Sequence, residues 1–491
     1  MRELRDYQVS SIALARAAMA MHRRVMIQAP TGAGKTLMAA AVIASARAKA
    51  KRVVFVVPRL SLINQTYLAF VAEGITDIGV IQADHPWTKP EAPVQIASVQ
   101  TLAHRKFPET DFVIVDEAHE AYKVIFRWMA ERPDLRFVGL SATPWTRGLA
   151  KHWDHLVIAA TAKDLIAQGV LVPYRAYGPD HPDLSGVKTV AGDYDEAGAA
   201  EVMSKPKLTA DIVRNYCEHG ENRPTLCFAV NRAHARQLQD EFEKAGITNA
   251  YLDGNSEIDE RQHVGNEFNA GRIKVVVNVG VLTTGVDWDV RCIILARPTK
   301  SEILFVQIIG RGLRAAPGKT DCLIFDHSDT ILNLGFPDDI HHDKLDDGKP
   351  KKASTSKRES RPSTPKECTS CHFLKPAGVH KCPACGFAPA KREDIEVIDG
   401  DLVQLSGGKL KADHATKQAF WSGLLWYCDH QGKTEKWALA TYRNKFGVWP
   451  RGLEAVPRPP DAQCRNFIKA SMIRWIKGKE RHEREVGHAR A

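Results

Sequence analysis

A glycine-punctuated stretch near the N-terminus has the composition of a phosphate-binding loop. Residues 28–36 read QAPTGAGKT and lie between a short apolar run and an alanine-rich stretch typical of a helix. Glycines let the backbone turn so that successive N–H groups point at phosphate oxygens, and the positive end of the following helix favours the same anion. Lys35 is predicted to reach the β- and γ-phosphates, and Thr36 to hold Mg²⁺. The predicted nucleotide-binding residues of this loop are Thr31, Gly32, Ala33, Gly34, Lys35 and Thr36. A glycine-containing loop that matches by chance is the alternative.

A pair of carboxylates follows an apolar run further along the chain. Residues 111–119 read DFVIVDEAH, which indicates a buried strand ending in Asp116 and Glu117. Open α/β sheets bind ligands outside the carboxyl ends of their strands. Asp116 is therefore predicted to hold Mg²⁺, and Glu117 to polarise the water that attacks the γ-phosphate. Two surface acids beside an exposed loop are the alternative.

Four of the ten cysteines form two Cys-x-x-Cys pairs separated by ten residues. This spacing suits tetrahedral Zn²⁺, and four thiolates leave no open position for catalysis, so we predict a structural site. The predicted zinc ligands are Cys368, Cys371, Cys382 and Cys385, with His380 as the substitute if one thiolate were not a ligand. The other cysteines are scattered without framework spacing, which suits a reducing compartment. The cluster either orients a nucleic-acid or protein contact or only stabilises the fold.

The elements that must position these residues alternate along most of the chain. Through residue 327, short β-branched runs recur between helical stretches, which indicates parallel sheets covered by helices on both faces. A polar stretch between two groups of strands is interpreted as a connector rather than a strand. The predicted segments are lobe 1 (1–155), a connector or insertion (156–204), lobe 2 (205–335), a flexible basic linker (336–366), a zinc knuckle (367–390) and a mostly helical domain rich in aromatic and basic residues (391–491).

Bulk composition narrows the class of protein. The 491 residues carry a formal net charge of +10, which weakly favours a polyanionic partner. No apolar run approaches the roughly 20 residues that span a bilayer, so no membrane partner is expected. The N-terminus, MRELRDYQ, is charged from its second residue and lacks the apolar core of a secretory signal. We expect a cytoplasmic protein of a bacterial or phage-infected cell.

Together these motifs resemble those of the superfamily 2 helicases and translocases. Residues 116–119 (DEAH) resemble motif II, and residues 141–144 (SATP) resemble motif III. Upstream, LRDYQ at 4–8 resembles the adenine-reading motif, in which Arg5 would stack on the base and Gln8 would hydrogen-bond to it. The resemblance implies two RecA-like doubly wound lobes that use ATP and Mg²⁺.

Two stretches of the second lobe extend this resemblance. VGVLTTGVD at 279–287 is similar to motif V, in which Thr284 would touch a nucleic-acid phosphate while Gly285 and Asp287 lie near the nucleotide. QIIGRGLR at 307–314 is similar to motif VI, in which Gln307 faces the site and Arg311 and Arg314 reach the γ-phosphate across the cleft. Because these arginines belong to the other lobe, hydrolysis is expected to require closure.

Lobe 1 also carries candidate nucleic-acid contacts. Pro58 and Arg59 resemble motif Ia, and Ser98 and Thr101 resemble motif Ib, which contact the nucleic-acid backbone in this superfamily. Contacts of this kind position a strand but do not read its sequence.

A narrower resemblance concerns residues 278–326, which look like RadD-type and phage-encoded helicase-like proteins. It implies a DNA-dependent ATPase that remodels single-stranded or branched DNA in repair, recombination or phage replication. An RNA helicase, an ATP-switched nucleic-acid clamp that does not translocate, and the motor subunit of a restriction complex are the alternatives. A protein partner would bind through the knuckle or the C-terminal domain.

Aromatic and basic residues interleave in the C-terminal hundred residues. The aromatic ones could stack on unpaired bases while the cations follow phosphates. Alternatively they form the core of a small helical domain, because tryptophan mostly buries its apolar body. The residues concerned are Trp421, Trp426, Trp437, Tyr442, Phe446 and Trp449, with Lys433, Lys436, Arg443, Lys445 and Arg451.

Overall fold

The computed structural model describes residues 2–82, 85–283, 287–349, 364–389, 413–469 and 471–472. The chain divides into two compact units, Met1–Lys391 and Arg392–Ala491. The strands are β1 Arg24–Gln28, β2 Val53–Val57, β3 Ile78–Ile81, β4 Val94–Ser98, β5 Phe112–Val115, β6 Arg136–Ser141, β7 His155–Ile158, β8 Tyr174–Tyr177, β9 Thr189–Val190, β10 Asp193–Tyr194, β11 Thr225–Ala229, β12 Asn249–Leu252, β13 Val275–Asn278, β14 Cys292–Ala296, β15 Cys322–Asp326, β16 Lys366–Glu367 and β17 Leu374–Lys375.

The helices are α1 Asp6–Ala18, α2 Lys35–Arg47, α3 Ile63–Ala72, α4 Val99–Ala103, α5 Lys123–Glu131, α6 Ala162–Ala167, α7 Glu196–Met203, α8 Pro206–His219, α9 Arg232–Lys244, α10 Ile258–Asn269, α11 Glu302–Gly312, α12 Thr330–Leu334, α13 His414–Gln431 and α14 Glu435–Phe446. Short 3₁₀ turns cover Leu60–Leu62, Ala118–Glu120 and Leu149–Lys151. In the described part of the chain, no helix combines the length and the apolar character needed to cross a membrane.

The first sheet has seven parallel strands in the order β3-β4-β2-β5-β6-β1-β7. Helices cover both faces, so successive residues of one strand enter different cores. In β1, Val25 and Ile27 join one hydrophobic cluster, whereas Met26 joins the cluster on the opposite face. Burial on both faces explains the uninterrupted apolar runs, which are typical of parallel sheets.

The second sheet has six parallel strands in the order β12-β13-β11-β14-β15-β8. Its edge strand β8 lies in the segment predicted as a connector, and the same segment forms the antiparallel hairpin β9–β10. The connector therefore contains more structure than its polar sequence predicted, because strands of only two to four residues carry little periodic signal. The two α/β lobes confirm the predicted fold class.

Residues 336–349, the start of the predicted flexible linker, pack against both lobes. Tyr174 of β8 donates a hydrogen bond to Asp338, and His342 Nε2 lies 2.7 Å from Glu302 Oε2 of α11, whereas the end of the segment contacts the first lobe. The Asp346 Oδ1 atom accepts a hydrogen bond from Gly148 N at 3.0 Å, and Asp346 O accepts one from Ala150 N at 2.9 Å. Leu345 packs against the hydrophobic cluster that contains Trp153. We call residues 336–349 the strap. The remainder of the predicted linker up to residue 363 lies outside the described residues.

The predicted knuckle and tail follow the strap. Strands β16 and β17 pair in an antiparallel hairpin next to β8, where Gly178 N donates to His372 O at 3.0 Å. In the C-terminal unit, α13 and α14 pack around a core of their own, and residues 462–469 are helical. This helical region and the four-cysteine segment agree with the predicted architecture.

Candidate nucleotide site between the lobes

The phosphate-binding loop lies between β1 and the first residue of α2, Lys35. Gly32 and Gly34 have φ values of 87° and 76°, in the left-handed region that favours glycine. The Nζ atom of half-buried Lys35 lies 3.3 Å from Ala29 O. Burial lowers the pKa of Lys35, and the charges of Glu117 and Asp116 oppose that shift. The loop amides, the start of α2 and the lysine thus form a site suited to phosphates.

Two residues of α1 hold this loop in place. The Gln8 Nε2 atom and the Tyr7 hydroxyl both donate to Ala33 O, at 2.9 and 2.7 Å. Gln8 Oε1 accepts a hydrogen bond from Arg5 N at 2.9 Å. Gln8 is only 3% exposed, whereas Arg5 is exposed. Gln8 therefore supports the loop directly, and the adenine contacts of Arg5 and Gln8 stay predictions.

The carboxylate pair lies at the carboxyl end of β5, as predicted. Burial and then the charge of Glu117 raise the pKa of Asp116. Burial also opposes ionisation of Glu117, but Lys35 and His119 outweigh it and lower the pKa of Glu117. The backbone of Glu117 is left-handed, with φ 46° and ψ 44°, a conformation that costs free energy in a non-glycine residue.

These acids fit a divalent cation. They are half-buried together, and the buried Glu117 Oε2 atom has no hydrogen-bond partner, although it lies 3.4 Å from His119 Nδ1. Mg²⁺ is commonly held by one or two protein carboxylates together with phosphate oxygens of the bound nucleotide, so Asp116 beside Glu117 fits this ion. Thr36, the other predicted ligand, is exposed at the start of α2.

A buried hydrogen-bond network joins the two lobes at His119. Its Nε2 atom lies 2.9 Å from Gln307 Nε2 of α11, and its Nδ1 atom lies 3.0 Å from Ser141 Oγ. Gln307 Nε2 also donates to Thr143 Oγ1 at 3.3 Å. Sequence reasoning predicted that Gln307 faces the site but gave no role to the other three side chains. Their motifs, DEAH and SATP, were the available signal.

Two arginines lie beside the phosphate loop: Arg311 in α11 and Arg314 just after this helix. Arg311 is 5% exposed and donates from Nε and Nη2 to Thr283 O at 2.9 and 2.6 Å. Burial, followed by the charge of Arg314, lowers the pKa of Arg311 to about 9. Arg314 Nη1 donates to Asp287 Oδ1 at 2.6 Å. Thr284, predicted to touch a nucleic-acid phosphate, and Gly285, predicted to lie near the nucleotide, are outside the described residues.

Close packing of the two lobes depends on Gly310. A Cβ atom at this position would lie 2.8 Å from Thr31 Cβ and 3.0 Å from Thr31 Oγ1. Helix α11 therefore packs directly against the phosphate loop, and only glycine permits this approach. The structure thus places the loop, both carboxylates and both arginines at one cleft.

The predicted nucleic-acid contacts of lobe 1 differ in exposure. Pro58 is buried and Arg59 is exposed at the carboxyl end of β2. The fully buried Ser98 caps α4 by accepting a hydrogen bond from Thr101 N at 3.0 Å, while Thr101 is half-exposed. Arg59 and Thr101 are therefore better placed to reach a strand than Pro58 and Ser98. All four contacts stay predictions.

The four predicted zinc ligands meet in the knuckle. Their Sγ atoms lie within 4.8 Å of one another, with Cys368–Cys385 and Cys371–Cys382 separations of 3.7 Å. A Zn–S bond of roughly 2.3 Å gives tetrahedral S···S distances of about 3.8 Å, so the cluster fits zinc. A backbone hydrogen bond from Ser370 is the main cause that lowers the pKa of Cys368 to about 6, whereas burial raises the pKa of Cys371 to about 12.

Comparison with known proteins supports the assignment of both lobes. Residues 1–146 match the family described as "Type III restriction enzyme, res subunit", and residues 205–316 match "Helicase conserved C-terminal domain". The chain belongs to helicase superfamily 2. These two domains imply an ATP-hydrolysing, nucleic-acid-dependent enzyme that uses Mg²⁺. The resemblance to that superfamily is confirmed.

Two relatives show how far the similarity extends. A "51.5 kDa protein" of Lactococcus phage (isolate 7-9) is 28% identical over 437 residues, 86% of this chain and 89% of the relative. "Putative ATP-dependent helicase IRC3" of Saccharomyces cerevisiae is 29% identical over 353 residues, 66% of this chain. The aligned part spans 51% of the yeast protein, about half its length.

Two solved structures share the fold. The "ATP-dependent Type ISP restriction-modification enzyme LlaBIII bound to DNA" aligns with a TM-score of 0.51 at 18% identity, covering 67% of this chain and 28% of that chain. A fragment of a putative HsdR subunit of a type I restriction enzyme from Vibrio vulnificus aligns with a TM-score of 0.55 at 20% identity. The alignment covers 72% of this chain and 68% of that chain.

Proposed function

We propose that this superfamily 2 helicase is an ATP-dependent DNA translocase that remodels single-stranded or branched DNA. The observation that carries the proposal is the contact between Gln307 of lobe 2 and His119 of lobe 1, beside the carboxylates of the cleft. Because both lobes complete the site, binding and release of nucleotide are coupled to closing and opening of the cleft. Cyclic closure of this kind is the basis of movement along a strand.

Each group in the cleft has a role in this proposal. The loop amides and Lys35 bind the phosphates. Thr36 and Asp116 would hold Mg²⁺, which offsets phosphate charge when bound. Glu117 accepts a proton from the attacking water, and its lowered pKa keeps it ionised. Arg311 and Arg314 stabilise the charge that develops on the transferred phosphoryl group.

DNA as the polymer is supported by the fold comparison. LlaBIII, whose lobes resemble these, is described as bound to DNA. Arg59 is exposed and Thr101 is half-exposed on lobe 1, so both side chains are accessible to the phosphates of a strand. Phosphate contacts make binding weaker at higher salt.

A second candidate is the motor part of a restriction assembly. The match of residues 1–146 to a restriction-enzyme family favours it, as do both solved structures. It requires a nuclease on another chain or segment. Isolation of this chain from its host cells in a stable complex that cleaves DNA in an ATP-dependent manner would favour this candidate over a free-standing translocase.

The test is steady-state ATP hydrolysis with no polymer, single-stranded DNA, duplex DNA, forked DNA and RNA. Lys35→Ala is the inactive reference, because it removes the ammonium that binds the phosphates. We expect stimulation by DNA and not by RNA. Stimulation mainly by RNA would make this an RNA helicase, and equal rates with and without every polymer would contradict the motor. Displacement of a strand or a bound roadblock separates a translocase from an ATP-switched clamp.

A further inference from the structure

The aromatic residues of the C-terminal unit differ in burial. Trp421 and Tyr442 are only 4% and 1% exposed and pack in the core with Phe420. Trp449 lies beyond the end of α14 and is 44% exposed. Among the tryptophan, tyrosine and phenylalanine side chains described for this unit, that of Trp449 alone is exposed. The core interpretation therefore applies to Trp421 and Tyr442 but leaves Trp449 unexplained.

The indole of Trp449 is held in position by its neighbours. The Arg443 guanidinium carbon lies 4.8 Å from the ring centroid, a cation–π contact. Arg451 N donates to Trp449 O at 2.8 Å, which closes a tight backbone turn around Pro450. An exposed aromatic ring that is already ordered loses little entropy when a flat group stacks on it.

The surrounding surface is strongly basic. Residues 433–458 contain six lysine and arginine residues and two acidic residues. Lys436 and Arg443 lie seven residues apart on α14 and therefore on the same face of the helix. The exposed cations of this stretch are Lys433, Lys436, Arg443, Arg451 and Arg458.

We propose that Trp449, with Arg443, Arg451 and Lys436, forms a binding surface for single-stranded nucleic acid, which we call the Trp449 surface. One unpaired base stacks on the indole, and neighbouring phosphates contact the cations, the combination by which proteins bind single strands without sequence preference. A duplex is a poorer fit because its base faces are already stacked. Only the choice of DNA over RNA rests on the proposed function.

The experiment measures binding of the full-length protein to labelled oligo(dT) by fluorescence anisotropy without nucleotide. Trp449→Ala is expected to raise Kd about ten-fold or more, the effect of losing one stacked base. Trp449→Phe keeps a stacking surface and should retain most of the affinity. Val456→Ala is the matched control, because Val456 is also an exposed apolar residue of this unit. Arg443→Ala should also reduce the salt dependence of binding, with a smaller slope of log K against log salt.

Three results would overturn the inference. One is an unchanged Kd of Trp449→Ala for oligo(dT), and another is an equal loss of affinity for duplex DNA. The third is that Trp449→Ala loses binding to a labelled poly-glutamate peptide but keeps its binding to oligo(dT). This result would assign the surface to an acidic protein segment. A failure of the proposed function would give a different result from a failure of this inference. Wild-type ATP hydrolysis would then show no stimulation by DNA, while oligo(dT) binding could still depend on Trp449.

Discussion

The nucleotide cleft and the zinc knuckle both suit a metal ion, but the chain builds them in opposite ways. The knuckle takes its four cysteine sulfurs from residues 368–385, and together they would complete a tetrahedral shell around one ion. The cleft takes its groups from both lobes, between Lys35 and Arg314, and its oxygen donors leave positions open. A closed local site can only hold its own segment together, whereas a site divided between two bodies can respond to their movement.

The largest effect is expected from removing the base in the cleft. Glu117→Gln should lower the rate of ATP hydrolysis by about 10²–10⁴-fold, the usual contribution of a general base. Nucleotide binding should persist, because the loop and Lys35 hold the phosphates. Steady-state kinetics and nucleotide titration measure both. Glu120→Gln is the control, since Glu120 is exposed three residues away; equal rates for Glu117→Gln and this control would remove Glu117 from the mechanism.

Loss of a thiolate tests the knuckle. Elemental analysis should find about one zinc per wild-type chain and much less in Cys382→Ser, because three thiolates do not complete the tetrahedral site. ATP hydrolysis without polymer should remain, because the groups of the cleft lie elsewhere. Cys217→Ser, at an exposed cysteine outside the cluster, should keep its zinc. A folded wild-type protein free of metal would refute the zinc assignment.

A smaller effect is expected at the contact between the lobes. Gln307→Ala removes the hydrogen bonds to His119 and Thr143 and leaves buried polar groups unsatisfied, which costs about 1–3 kcal/mol. If this loss destabilises mainly the closed state of the two lobes, kcat should drop about five- to a hundred-fold with little change in nucleotide affinity. Gln168→Ala, at an exposed glutamine, is the matched variant. A fall confined to KM would indicate that Gln307 only supports binding.

The smallest effect is expected at the strap. Asp346→Ala removes acceptors for the N–H groups of Gly148 and Gly348, worth about 1 kcal/mol. Hydrogen exchange in the segment 147–151 should become faster, while ATP hydrolysis changes less than about three-fold. Asp347→Ala serves for comparison, because the hydrogen bond and the ion pair described for exposed Asp347 both involve Lys349 of the strap. Unchanged exchange in Asp346→Ala would mean that the strap does not restrain the first lobe.

Local patterns predicted much of the molecule. The apolar runs of β2 and β5 became central strands because burial on both faces selects such runs. The Cys-x-x-Cys pairs converged because their spacing already defines the geometry. The network at His119 was not predictable, since its partner Gln307 lies 188 positions away. The packing of the strap was also missed, because its polar sequence resembles a linker.

By itself, the sequence determined which residues can bind phosphate, hold a metal or supply charge, because these capacities follow from side-chain chemistry and short spacing. Only the tertiary structure decided that Gln8 supports the phosphate loop, that Gly310 lets α11 approach Thr31, and that Trp421 is buried while Trp449 is exposed. The physical reason is that burial and long-range hydrogen bonding depend on how distant elements pack, and no local pattern records that packing.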